Sequence, residues 1–125
     1  MGDRTKGQVE AEISKAIVKF EREYMGRGPT DIKTYLFRDL VIVRLSGILT
    51  PAEKQLVKAE GVELVKQTRA KLLEHGRHLV KQSVEEIVGV PVVSVHSDLS
   101  TVTGERIIIF VLRDDAEGRF VREGS

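Results

Sequence analysis

About forty residues, from Thr50 to Gly89, carry one almost uninterrupted helical pattern, with a pair of strand-like runs before them and another after. This stretch constrains the fold more than anything else in the chain. Thr50-Pro51-Ala52-Glu53 opens it. A threonine can accept the orphan N–H groups of a first turn, proline suits the first helical position, and a glutamate three residues on completes a capping box. Val57, Leu64, Val65, Thr68, Leu72, Leu79, Val80, Val84, Ile87 and Val88 then continue at helical spacing. A single helix of this length would run roughly 58 Å at 1.5 Å per residue. A compact domain of this size is only roughly 36 Å across. The pattern therefore predicts a break, and His75-Gly76-Arg77-His78 is the expected place, because glycine is costly inside a helix and common just past its end.

Upstream, Val9, Ile13, Ala16, Ile17, Phe20 and Tyr24 mark one face of an amphipathic helix over about residues 5–25. Glu10, Lys15, Lys19 and Glu21 to Glu23 are assigned to its solvated face. Gly26-Arg27-Gly28-Pro29 stops it. Residues 31–37 and 40–45 read as two strands around an Arg38-Asp39 turn. Residues 92–99 and 106–112 read as two more, around Thr101-Val102-Thr103-Gly104. The expected fold is α+β in two layers, ordered α-β-β-α-α-β-β, with an antiparallel four-stranded sheet packed against helices. The 125 residues form one domain, with a compact core over 5–113 and a polar, fraying tail over 114–125.

Composition excludes several functions. Twenty basic and nineteen acidic side chains give a net charge of +1, without the basic stripe that a nucleic-acid partner requires. There is no cysteine, hence no disulfide and no thiolate chemistry. No apolar run reaches the roughly 20 residues of a membrane-spanning helix. The charged N-terminus, Met1 to Lys6, does not read as a signal peptide, so the expected location is the cytoplasm. Ile107 to Leu112 and Leu40 to Leu45 are apolar on both strand faces, or nearly so. Helices cover one face, and a second copy of the chain is the expected cover for the other.

Candidate sites are few. Gly26, Arg27 and Gly28 make a glycine-rich turn with a guanidinium, suited to an anion, although the turn follows a helix where nucleotide-binding glycine loops follow a strand. Arg69 falls beside the apolar stripe of its helix; it reads first as a surface ion pair, or else as reaching inward to a carboxylate or a bound anion. Arg44 interrupts an apolar strand and needs a partner if buried. His96 and Asp98 share a strand face, which is the arrangement an acid–base pair would need. Ser94, Ser97 and Ser100 lie near them without a nucleophile-elbow context. His75 and His78 are read as polar residues at the helix break, with no metal. Tyr35 and Phe37 on one strand face are the only hint of base stacking. No cofactor is implied.

Taken together, Gly26-Arg27-Gly28-Pro29 after an amphipathic helix, Leu49-Thr50-Pro51-Ala52-Glu53 opening a long one, Arg69 within it, and Gly89 before Val92 and Asp98 form a pattern. With the closing apolar strand, it resembles the DUF2294 family of small bacterial proteins. That family is also described as the C component (MpsC) of a sodium-translocating, membrane-potential-generating system. The resemblance covers about residues 5–113. It implies a non-enzymatic accessory or regulatory protein linked to cation or inorganic-carbon transport, with a membrane transport component as partner and no insertion of its own. Gly26 to Pro29 and Arg69 match the family pattern, but no defined role comes with them. A small enzyme using His96 and Asp98, or a nucleic-acid-binding module, are the alternatives.

Overall fold

The computed structural model describes residues 4–121. Helix α1 (Lys6–Met25) starts from a capping box in which the Thr5 hydroxyl accepts the Gln8 N–H and the Gln8 side chain accepts the Thr5 N–H. It ends at Gly26, whose φ of 78° supplies the left-handed cap. Strands β1 (Asp31–Phe37) and β2 (Leu40–Ser46) form a hairpin. Helices α2 (Pro51–Lys58) and α3 (Val62–Val88) follow, then a second hairpin of β3 (Val92–Ser100) and β4 (Glu105–Leu112). The α+β class and the α-β-β-α-α-β-β order are those expected. The strand order is β1-β2-β4-β3, antiparallel throughout, so each hairpin contributes one central strand.

Burial alternates strictly along β2 and β4. Val41, Val43 and Leu45, with Ile108, Phe110 and Leu112, face the helices and are buried. Their neighbours face away and are half-buried or exposed. Helix α1 contributes Val9, Ile13, Ile17 and Phe20 to the core, and α3 contributes Val65, Val80, Val84 and Val88. The helices thus form one layer and the sheet the other.

The long helical stretch is broken, but not at Gly76. The break is at Ala59-Glu60-Gly61. Glu60 takes a φ of +64°, and the Gly61 N–H donates to the Leu56 carbonyl at 2.6 Å, so the chain turns before α3 begins. Gly76 instead sits buried in mid-helix, where a Cβ would lie 2.5 Å from Phe20 Cε1. Its role is close approach of α3 to α1, where Phe20 stacks on Tyr24 with ring centroids 4.8 Å apart. With the break at 59–61, α3 is 27 residues long, roughly 40 Å at 1.5 Å per residue, well short of the unbroken length.

Residues 114–121, expected to fray, are instead packed against the domain. Ala116 is fully buried, and its N–H donates to the Arg38 carbonyl. A single turn of 3₁₀ helix follows (Glu117–Arg119). Val121 then bridges to the start of α1, accepting the Lys6 N–H at 2.8 Å. The remainder of the expected tail, 122–125, lies outside the described residues.

Candidate functional site: a guanidinium-floored cleft

The stripe on α1 that carries Val9, Ile13 and Ile17 reaches Glu21 at the next i+4 step, and Glu21 is fully buried. It therefore does not belong to the solvated face. The inward phase of β4 that carries Ile108, Phe110 and Leu112 starts at Arg106, 2% exposed. The inward stripe of α3 runs Val65, Arg69, Gly76, Val80, and Arg69 is also 2% exposed. Glu53, the third residue of the α2 capping box, completes the group. Four charged side chains from four elements meet under the helices.

Within this group the contacts are unequal. Arg69 binds Glu53 in a two-pronged geometry, Nε to Oε2 at 2.8 Å and Nη2 to Oε1 at 2.6 Å. Nη2 also donates to the Ile48 carbonyl at 2.7 Å. The same Glu53 carboxylate accepts the Thr50 N–H, so one side chain caps α2 and anchors α3. Glu21 lies between the two guanidiniums, 3.8 Å from Arg69 and 3.6 Å from Arg106, without a hydrogen bond to either. Arg69 Nη1 and Arg106 Nε and Nη1 are likewise buried without a hydrogen-bond partner among the described residues.

The electrostatics follow from this geometry. Burial alone would push the Glu53 carboxyl up, but hydrogen bonds from Arg69 and from the Thr50 backbone reverse it and hold it at about 2. Burial raises Glu21 above the ordinary carboxylate range, although Arg106 and Arg69 both pull it back. Burial also lowers Arg106, with Glu21 opposing.

Arg69 and Arg106 line a cleft of about 440 Å³ between α3 and β3. Lys66 and Arg77 also line it, facing the carboxylates Asp98 and Glu74. Arg77 bonds Glu74 at 3.1 Å and the Val95 carbonyl at 3.2 Å, and Lys66 lies 3.6 Å from Asp98. Cationic groups at floor and rim suit a small oxyanion, and the Arg69 and Arg106 Nη1 atoms behind the floor face Glu21.

The other residues picked from sequence fall elsewhere. Arg27 is half-buried and donates to the Leu49 carbonyl at 3.3 Å, one residue from the carbonyl held by Arg69. Gly26 and Gly28 form the α1 cap, and a Cβ on Gly28 would press on the Arg22 side chain at 3.1 Å. Arg44 is exposed on the far face of the sheet, paired with Glu105 at 2.7 Å. The structure thus links Arg27 and Arg69 through the 48–49 loop and sets Arg44 apart. His96 and Asp98 do not bond each other: His96 meets Ser94 at 3.1 Å, and Asp98 accepts the Leu99 N–H. His75 and His78 stand on the continuous α3, with His75 tilted against Tyr24. Glu21 and Arg106, missed from sequence, were findable only as charges occupying core phase in otherwise apolar stripes.

A two-layer α+β domain of this topology, with a buried Arg–Glu cluster under a basic cleft, defines the class. The chain belongs to the MpsC family: residues 5–114 match the family model described as "Na+-translocating membrane potential-generating system (MpsC)". It is similar to the uncharacterized protein YbcI of Bacillus subtilis (strain 168), 46% identical over 115 residues, covering 91% of this chain and 93% of YbcI. It is also similar to the uncharacterized protein YrhF of the same organism, 26% identical over 102 residues, covering 80% and 84%. No solved structure matches the chain. Among the described residues no helix is long and apolar enough to cross a membrane.

Proposed function

We propose that this chain is a non-enzymatic accessory or regulatory module that takes a small anion into the Arg69–Arg106 cleft and serves a cation- or inorganic-carbon-transport system. The observation that carries the reading is the floor of the cleft. Two guanidiniums, each about 2% exposed, line it, and their N–H groups without a hydrogen-bond partner among the described residues lie against the buried Glu21 carboxylate. A buried unmet donor costs roughly 1–3 kcal/mol, and an oxyanion that displaces Glu21 from the two guanidiniums would offset that cost. Lys66 and Arg77 add attraction at the entrance.

The family description supports the transport link. Because no described helix spans a bilayer, the reading assigns translocation to a membrane-embedded partner and sensing to this chain. Binding at the cleft would act on α3 directly, since Arg69 ties that helix to the α2 cap and the 48–49 loop.

A thermal-shift series with phosphate, sulfate, bicarbonate, acetate and nucleotides tests the ligand half. An anion at a hundred times its dissociation constant adds about 2.7 kcal/mol of stability. The shift should disappear in Arg77→Ala and in Lys66→Ala, both at the rim and safe for folding. No shift from any anion, or a shift intact in both variants, defeats the reading. Co-purification with membrane fractions tests the transport half.

A further inference from the structure

The helix-side face of β3 is only partly covered. Val95, Ser97 and Leu99 stand opposite Phe110, Ile108 and Arg106 of β4, so they share the face turned to the helices. Leu99 is buried, Val95 is half-buried and Ser97 is exposed. β3 is an edge strand, and α3 runs alongside it without closing over it. Ala70 on the α3 wall and Ser97 on the β3 wall are both small, and the space between the walls is the cleft of about 440 Å³. Pockets that seat organic ligands run roughly 300–1,000 Å³. A bicarbonate or phosphate ion would fill only a small part of this one.

The cations along the cleft are unequally engaged. Arg77, at one end, is held by Glu74 and by the Val95 carbonyl. At the other end the Lys66 ammonium lies 3.6 Å from Asp98, beyond hydrogen-bond length. The Asp98 side chain is 87% exposed, so water screens that pair. Arg106 stands at this end too, opposite Leu99 in register. Its Nε and Nη1 are buried, which leaves Nη2 as the nitrogen that meets the cleft. Between the two ends the walls are apolar, with Ala70, Leu73 and Val95. Lys66 and Leu73 are two helical turns apart, about 10 Å at 1.5 Å per residue, the reach of a chain of about eight carbons.

We propose, resting on the anion reading of this cleft and deepening it, that its ligand is an organic oxyanion with an apolar body. The charged head sits at Lys66 and Arg106, and the body lies along Ala70, Leu73 and Val95. An inorganic anion would leave the apolar walls wet. A neutral apolar molecule would leave the two cations without a counter-ion. A molecule carrying both parts satisfies both, in the pattern of apolar walls with a few placed polar groups that small-molecule sites share. The rim carboxylates Asp98 and Glu74, with side chains 87% and 70% exposed, repel a head at the floor only through water.

Titration calorimetry with unbranched carboxylates from acetate to decanoate, each below its micelle concentration, is the test. Full burial of a methylene is worth about 0.8 kcal/mol, or about fourfold in affinity, and a body lying in an open cleft should gain about twofold to fourfold per carbon. Octanoate should therefore bind at least about fiftyfold tighter than acetate, and the gain should level off beyond about eight carbons. Ala70→Phe fills the middle of the cleft from an exposed helical position. It should return octanoate to the level of acetate and leave acetate unchanged, with circular dichroism confirming the fold. Lys66→Ala should weaken every acid by the same factor and keep the gain per carbon. A flat series in which acetate or phosphate binds overturns this inference and leaves the anion site standing, whereas no binding by any anion defeats both. Octanol binding as tightly as octanoate overturns it by removing the head. Octanoate binding unchanged in Ala70→Phe overturns it by placing the chain elsewhere.

Discussion

Replacing Gly76 by Ala sets two well-understood effects against each other. In an isolated helix the change stabilises by about 1 kcal/mol, because glycine is the poorer helix former. Here the new Cβ would lie 2.5 Å from Phe20 Cε1, 2.8 Å from Cζ and 3.4 Å from Tyr24 Cδ1. Carbon atoms rest at about 3.5–4.0 Å, so the ring must retreat by about 1 Å. It has little room: Phe20 is 6% exposed and already stacked on Tyr24. Overpacking of this kind costs about 1–3 kcal/mol. The net expectation is a loss of about 1 kcal/mol, or about 4 °C in Tm for a domain of this size. Urea unfolding and calorimetry read it directly. The decisive control is Phe20→Leu, which removes both clashing ring atoms. In that background Gly76→Ala should become stabilising, giving a coupling of about 2 kcal/mol across the pair. If Gly76→Ala raises Tm in the wild-type background, the helices are not in tight contact there and the reasoning fails.

Four further expectations concern the buried charges and the core. Glu53 titrates at about 2 in the folded state against an ordinary 4.5, so its contribution is complete above pH 4.5 and lost as pH falls toward 2. The charge-dependent part is about 3 kcal/mol at 1.36 kcal/mol per unit, and the stability gap between wild type and Glu53→Gln should close by that order over this window in acid unfolding curves. Glu21 works in the opposite sense: its raised pKa contributes most below the ordinary value and is lost as pH climbs through the folded-state value. Glu21→Gln should therefore flatten that part of the pH–stability curve. An anion on Arg106 competes with Glu21 for the guanidinium, in a cluster shared with Arg69 and Glu53, so binding should draw in a proton. Calorimetric enthalpies measured in buffers of different ionisation heat will reveal that uptake, and it should vanish in Glu21→Gln. Phe110, fully buried on β4, should cost about 3–5 kcal/mol when replaced by Ala, measured by denaturant unfolding.

Local chemistry made much of the fold legible. The Thr50 capping box and the Gly26 stop are decided by neighbours within a few residues, and they stand where expected. The misreadings share one cause. A glycine in a helical pattern marks either an end or a close approach, and only the helix opposite, through Phe20, settles which. The true break was hidden because a glutamate, Glu60, takes the left-handed position and leaves Gly61 beyond it. Glu21 and Arg106 were hidden because a charge is read as solvated unless its partner is known, and their partners come from elements far along the chain. Arg69 read more readily as a surface ion pair than as an inward group, and Glu53 read only as a cap; the structure instead buries their pairing.

The central pairing of β2 with β4 has a consequence for how the chain must be made. Residues 40–45 find their partners at 106–111, so the first hairpin leaves the ribosome with one edge of its most apolar strand unfilled. That edge stays open until β4 has been synthesised. Such long-range closure is slow and exposes a strand edge to neighbouring chains meanwhile. A product stopped short of residue 105 lacks the strand that seals the sheet. It is therefore bound for aggregation or proteolysis, and cannot persist as a partly working fragment.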